Sequence, residues 1–186
     1  MDELRRATAS SHAGLERALE SSGLLSGPPG GALLERFYGF HAAWEPAMAA
    51  GLGDDALFEP RRRLALLEAD LHDLGRTPAE LARLPRCIAA AGLAAAPHGS
   101  LYVLEGATLG GQVIRRRLHA RGTPCPRYFN PYGAATGAMW SALKARLRGA
   151  TTMEGRAAMT AAAVATFELL HDWLRPVLGE AHDRAA

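Results

Sequence analysis

Apolar residues recur at helical spacing along most of this chain, and no segment alternates apolar and polar residues with the two-residue period of a strand. A first helix is expected from about Asp2 to Ser21, ahead of the breaker SGPPGG at residues 26–31. Further helices are expected in ALLERFYGFHAAWEPAM, RRRLALLEADLHDLG and AAAVATFELLHDWL. These elements predict one all-α domain over residues 1–186, with seven or eight helices.

Two helix starts and one loop carry more specific signals. Thr77, Pro78 and Glu80 have the spacing of a capping box, and Thr151 begins a second sequence of that kind. The segment RGTPCPRYFNPYG contains three prolines and is expected to be a long irregular loop.

Composition excludes several classes of protein. The formal net charge is only +2, so neither a nucleic-acid nor a membrane-surface partner is expected. Cys87 and Cys125 form no C-x-x-C pair, which argues against a zinc ribbon, covalently attached haem and a disulfide framework. With no apolar stretch of about 18 residues and no signal-peptide pattern, a cytoplasmic location is expected.

The segment LYVLEGATLGGQVIRRRL, residues 101–118, has helical spacing but contains three glycines. Each glycine weakens a helix by about 1 kcal/mol relative to alanine. On a helix, Gly106 and Gly110 lie one above the other, and Ala107 and Gly111 form the adjacent row. Such a bare strip allows either tight helix packing or the close approach of a flat ligand, and GxxxG spacing alone does not decide between them.

The first helix carries a histidine on what is expected to be its inward face. Arg5, Thr8, His12, Glu16 and Leu19 share that face, so His12 is expected to point away from solvent. Such a histidine is either a satisfied core residue or an axial haem ligand. In the second case Arg5 could pair with a ligand carboxylate, and Glu16 could bond the other imidazole nitrogen.

Several motifs resemble those of haem oxygenases. LRRATASSHAGLE looks like their N-terminal helix, and LYVLEGATLGGQVI is similar to their distal helix, especially in bacterial members. FHAAWE, LLEADLHDLG, FNPYG, MWSAL and ATFELLHDWL resemble the bacterial and phytochrome-linked branch. The matches cover most of the chain and occur in the family's order.

The resemblance implies a haem-oxygenase-like helical fold with haem bound between a proximal and a distal helix. Haem would be both cofactor and substrate, converted with dioxygen and electrons to biliverdin, carbon monoxide and ferrous iron. His12 matches the proximal iron ligand, and Gly106, Gly110 and Gly111 match the distal glycines that cover the porphyrin. Ala107 stands where animal-type members carry an aspartate, so an aspartate-centred water network is not expected.

Other positions carry weaker implications from the same resemblance. His41 falls where animal-type members carry a tyrosine near the distal water, which implies a part in proton delivery; otherwise it is a half-exposed helix histidine. Arg5 and Lys144 match contacts to the haem propionates, and Phe167 matches an aromatic residue packed on haem. The ordinary alternatives are surface charges and a core aromatic. The basic run at residues 115–117 either faces solvent or steers an acidic redox partner.

The implied partners are an electron donor, such as ferredoxin, flavodoxin or a reductase, and a bacteriophytochrome that accepts biliverdin. Two alternatives remain open. One is a haem-binding or storage protein without turnover, which Ala107 keeps in view. The other is a di-iron oxidase, although the local cluster Glu45, Asp70, His72 and Asp73 lacks the expected ligand spacing.

Overall fold

Eight α-helices make up most of the chain that the structure, a computed structural model, describes: residues 2–21, 30–149 and 153–178, without the side chains of 153 and 154. The helices are α1 (Asp2–Ser21), α2 (Gly31–Leu52), α3 (Asp55–Phe58), α4 (Leu64–Asp73), α5 (Pro78–Arg83), α6 (Pro97–His119), α7 (Thr136–Gly149) and α8 (Met153–Leu178). Short 3-10 helices occupy Glu59–Arg61, Ile88–Ala95, Arg127–Phe129 and Gly133–Ala135. No strand occurs in these ranges, so the all-α prediction and the expected number of helices are confirmed.

Helix α2 lies at the centre of the fold because it is apolar on nearly all sides. It packs against α4, α8 and the 3-10 segment Ile88–Ala95. Trp44 of α2 donates its indole N–H to the Ser100 hydroxyl of α6 at 2.7 Å, so its one polar atom is satisfied in the core. The buried side chains of this helix include Leu33, Leu34, Phe37, Phe40, Trp44 and Met48.

Helix α8 holds the outer helices together. Both α1 and α6 pack against it. Leu170 and Leu174 of α8 are buried in the common core, as is Leu4 near the start of α1. The space between α1 and α6 forms the cavity described below.

One predicted helix start is confirmed and one is wrong. Thr77 and Glu80 form the expected capping box at α5. The arginines at residues 61–63, expected inside a helix, instead precede α4, which begins at Leu64. A carboxylate oxygen of Glu45 accepts hydrogen bonds from the backbone N–H groups of Arg63 at 2.7 Å and Leu64 at 2.9 Å. These bonds satisfy donors at the start of α4 and fix its first residue.

Two sequence signals fall outside the described residues: the capped start at Thr151 and most of the SGPPGG breaker. Among the helices that the structure does describe, none combines the length and apolar character needed to cross a bilayer.

Candidate functional site

A cavity of about 340 Å³ lies between α1 and α6. Its volume falls at the lower end of the range of about 300–1,000 Å³ that ligand pockets occupy. Its wall is mostly apolar: α1 contributes Leu15 and Leu19, α6 contributes Val103 and Ile114, and α8 contributes Leu170. An apolar, partly open cleft of this kind accommodates a ligand that is itself largely apolar.

His12 lines the cavity from α1 and is 49% exposed, so the expectation that it points away from solvent is wrong. Its Nδ1 lies 3.2 Å from a carboxylate oxygen of Glu16, as the sequence predicts. The Phe167 ring meets the imidazole edge-on, with centroids 5.7 Å apart and planes at 83°. No hydrogen bond from the residues in the described ranges reaches Nε2, so that nitrogen is available to a ligand.

The three glycines of α6 have three different surroundings. A Cβ at Gly110 would meet no atom within 4 Å, and Gly110 lines the cavity. A Cβ at Gly111 would lie 2.1 Å from the carbonyl oxygen of Phe129. A Cβ at Gly106 would make ordinary contact with the Trp140 ring at 3.6 Å. Close packing therefore explains Gly111, whereas Gly110 leaves bare backbone beside open space.

The remaining predicted cavity residues are divided between the wall and the exterior. Ala107 and Phe167 line the cavity. Arg5 is exposed outside the cavity wall, and Lys144 is half-buried with its Nζ 5.3 Å from the centroid of the Trp140 ring. Neither basic residue reaches the cavity in this structure.

Three other arginines line the cavity: Arg17, Arg63 and Arg117. Arg117 also pairs with Glu20 of α1 at 3.1 Å, and both side chains are about half exposed. The basic run at the end of α6 therefore contributes one member to the cavity mouth, which the sequence alone does not reveal.

His41 lies behind the cavity wall and is fully buried, so the half-exposed interpretation is wrong. Its Nδ1 is 3.1 Å from Glu45, and its Nε2 is 3.2 Å from the Tyr128 hydroxyl. Burial lowers the pKa of His41 despite the neighbouring carboxylate. Burial would raise the pKa of Glu45, but hydrogen bonds from His41 and from backbone N–H groups lower it overall.

Tyr128 lines the cavity and was not a predicted site residue. It lies in the loop RGTPCPRYFNPYG, which contains the 3-10 helix Arg127–Phe129. The Asp70 carboxylate of α4 accepts hydrogen bonds from the backbone N–H groups of Arg127 and Tyr128, both at 2.9 Å. These two bonds fix the turn against α4. Burial raises the pKa of Tyr128, so its hydroxyl stays protonated.

A second group of buried polar residues adjoins the first. Arg63 lies 2.7 Å from a carboxylate oxygen of Glu105, which also accepts a hydrogen bond from Tyr132. Arg61 approaches the other oxygen of Glu105 at 3.3 Å without hydrogen-bond geometry, and the Nε atoms of Arg61 and Arg63 have no hydrogen-bond partner. The signals that could have indicated this cluster are the arginine triplet at 61–63 and a lone glutamate in the apolar run YVLEG.

Comparison with known protein families and curated sequences found no match to this chain. The cavity and the sequence motifs of α1 and α6 are therefore the basis for a proposed function.

Two members of the cluster considered for a di-iron site, Glu45 and Asp70, are committed to other partners. Glu45 bonds His41, and Asp70 bonds the Arg127–Phe129 turn. Across the described ranges, no three or more His, Cys, Asp or Glu side chains come together as a metal site would require. The di-iron interpretation has no ligand set in this part of the chain.

Proposed function

We propose that this protein binds haem in the cavity between α1 and α6 and is a haem oxygenase. The observation that carries the proposal is that one apolar cavity is lined by the His12 imidazole on α1 and by open backbone at Gly110 on α6. A neutral imidazole is a common axial haem ligand, and a bare helix leaves room above a planar macrocycle. The residues present therefore fit the group that the sequence resemblance implies.

Three residues of the chain would prepare the iron-binding side. The Glu16 carboxylate lies 3.2 Å from Nδ1 of His12, and a proton held on that nitrogen would leave the lone pair of Nε2 free for the iron. The Phe167 ring packs against one side of the imidazole, with the two planes at 83°. Such outer contacts orient a ligand and raise its basicity before the metal arrives.

On the α6 side of the cavity, the protein supplies open space and an apolar wall that excludes water, and not a charged catalytic side chain. The absent Cβ at Gly110 leaves open volume, and the adjacent Ala107 contributes no polar atom. Bound haem would supply both the iron that activates dioxygen and the porphyrin that is oxidised. The surrounding leucines, valines and isoleucine limit competing water around that chemistry.

The haem propionates need cationic contacts at the cavity mouth. Arg17 and Arg117 already line the cavity, whereas Arg5 and Lys144 would contact propionates only if the ligand extends beyond the cavity wall. We therefore add Arg17 and Arg117 to the proposed propionate contacts. An arginine guanidinium suits this purpose because its donors match a carboxylate in pairs.

Electrons would come from an acidic donor such as ferredoxin, flavodoxin or a reductase. Exposed Arg115 and Arg116, together with Arg117, give the end of α6 a basic surface that complements such a donor. Biliverdin produced in the cytoplasm would then serve a bacteriophytochrome. A haem-binding protein without turnover is the second candidate, supported by the apolar Ala107 in the cavity wall.

The first experiment is a titration of the purified protein with haem, followed by aerobic turnover with ascorbate or ferredoxin and chromatography of the product. We expect stoichiometric haem binding and release of biliverdin. His12→Ala should lose the histidine-ligated ferric spectrum, and added imidazole should restore it. His119→Ala is the matched control, because His119 is an exposed histidine on α6 that does not line the cavity.

Each outcome separates the candidates. Haem binding with no bilin product would support the storage protein and reject the oxygenase. Failure of the wild-type protein to bind haem would reject both. An unchanged spectrum in the His12→Ala protein would reject His12 as the iron ligand.

A further inference from the structure

A buried chain of polar side chains connects the cavity wall to the interior of α2. The Tyr128 hydroxyl lies 3.2 Å from Nε2 of His41, and Nδ1 of His41 lies 3.1 Å from Glu45. All three residues are at most 6% exposed, yet only Tyr128 of the three lines the cavity. His41 contacts the cavity wall through Tyr128, whereas Glu45 also holds the backbone N–H of Arg63, another residue of that wall.

The direction of the hydrogen bonds in this chain follows from the protonation states. Burial keeps His41 neutral, so one ring nitrogen carries a proton and the other accepts. The ionised Glu45 can only accept, which places the proton on Nδ1 of His41. Nε2 is then an acceptor, so the Tyr128 hydroxyl must donate its proton to His41.

This direction determines what Tyr128 can offer to the cavity. Its single hydroxyl proton is committed to His41, and only oxygen lone pairs remain for other partners. Arg63 also lines the cavity, and its positive charge lowers the pKa of Tyr128, while burial raises that pKa more.

The surrounding backbone holds the chain in place at both ends. Asp70 fixes the backbone N–H of Tyr128, and Glu45 accepts the N–H groups of Arg63 and Leu64 at the start of α4. Rotation of either end would leave buried donors without partners, at a cost in free energy. The hydrogen-bond direction is therefore built into the fold before any ligand enters.

We propose that Tyr128 presents a hydrogen-bond acceptor to the bound ligand, and that His41 and Glu45 are positioning residues that hold it in that state. With haem as the ligand, which rests on the proposed function, the lone pairs of this acceptor would face the side of the macrocycle where a diatomic ligand of the iron binds. The Tyr128 oxygen would supply a polar contact that the apolar side chain of Ala107 cannot make. His41 would thus act one residue removed from the ligand.

The first test uses the protein without haem. Nitrogen-15 NMR of histidine-labelled protein, with His41→Leu used to assign the signal, should show Nδ1 protonated and Nε2 as a hydrogen-bond acceptor. The opposite tautomer, or a doubly protonated ring at neutral pH, would overturn the proposal. This result does not depend on haem, so it separates failure of the inference from failure of the proposed function.

The second test uses carbon monoxide on reduced haem as a probe of the cavity. A nearby lone pair raises the C–O stretching frequency, whereas a hydrogen-bond donor lowers it. Tyr128→Phe should therefore shift the band downward. His41→Leu should also shift it downward, because the freed hydroxyl can turn and donate. In the Tyr128→Phe background, His41→Leu should produce no further shift.

Tyr132→Phe is the matched control, because the Tyr132 hydroxyl bonds Glu105 and Tyr132 does not line the cavity. It should leave the band in place. An unmoved band in Tyr128→Phe, or equal effects of His41→Leu in both backgrounds, would overturn the proposal. If His41→Leu does not fold, the proposal is still tested by the His41 tautomer in the wild-type protein and by the C–O band of Tyr128→Phe.

Discussion

Alanine substitutions at Gly110 and Gly111 should have opposite effects, although the two residues are neighbours on one helix. The new Cβ at Gly110 projects into open space. At Gly111 it lies 2.1 Å from the carbonyl oxygen and 3.0 Å from the carbonyl carbon of Phe129. These are backbone atoms of a turn that Asp70 holds through two hydrogen bonds, so they cannot move aside cheaply.

The magnitudes follow from two opposing effects. Replacing glycine by alanine inside a helix gains about 1 kcal/mol at either position. Forcing an extra carbon into a filled site costs about 1–3 kcal/mol. Gly110→Ala should therefore stabilise the protein by about 1 kcal/mol, since only the first effect applies. The free energy of unfolding of Gly111→Ala should be about 1–3 kcal/mol lower than that of Gly110→Ala, since the second effect also applies.

Urea unfolding followed by far-ultraviolet circular dichroism measures this difference directly. Equal stability of the two alanine variants would show that α6 does not closely contact the Phe129 backbone at Gly111. A longer side chain separates packing from ligand binding. Gly110→Leu should keep the helical signal but weaken haem binding sharply, whereas loss of the fold would mean that Gly110 is a packing residue.

Three further predictions concern charges near the cavity. Glu105→Gln should destabilise the fold by about 3–5 kcal/mol, because it leaves the buried Arg63 without its counter-charge; a urea midpoint near that of the wild type would contradict this. Burial lowers the pKa of His41 from 6.5, so its contribution to stability is complete above that pH and is lost as the pH falls below it. His41→Leu should reduce the slope of unfolding free energy against pH there by at most about 1.4 kcal/mol per unit, and an unchanged slope would show that His41 does not titrate on unfolding. Arg117→Ala should weaken haem affinity more than Lys144→Ala does, since of the two residues only Arg117 lines the cavity. Equilibrium haem titration of both variants measures this difference, and the reverse order of affinities would contradict the prediction.

The elements that sequence patterns predict well are those fixed by neighbours in the chain. The capping box at Thr77 involves residues three apart, and the bounds of α1 follow from its own periodicity. The pairing of His12 with Glu16 is likewise a contact across one helical turn. In each case the sequence contains both partners within a few residues.

The features that the sequence does not reveal depend on distant segments. The start of α4 is fixed by Glu45, which lies 18 residues before Arg63 in the chain. The buried His41 has its Nε2 against the hydroxyl of Tyr128, which lies 87 residues away in the chain. Local spacing at 61–63 suggests only a helix, since nothing nearby indicates that two arginines will be buried against Glu105.

The two long walls of the cavity should differ in mechanical compliance. On one side, α6 touches the Phe129 backbone at Gly111, and the same turn is fastened to α4 through Asp70. On the other side, the fully buried residues of α1 are Leu4 and Thr8, both before the segment that faces the cavity. Regions with few buried contacts open at low free-energy cost. We therefore expect differences in ligand size to be absorbed by displacement of the second half of α1, which carries His12 with it.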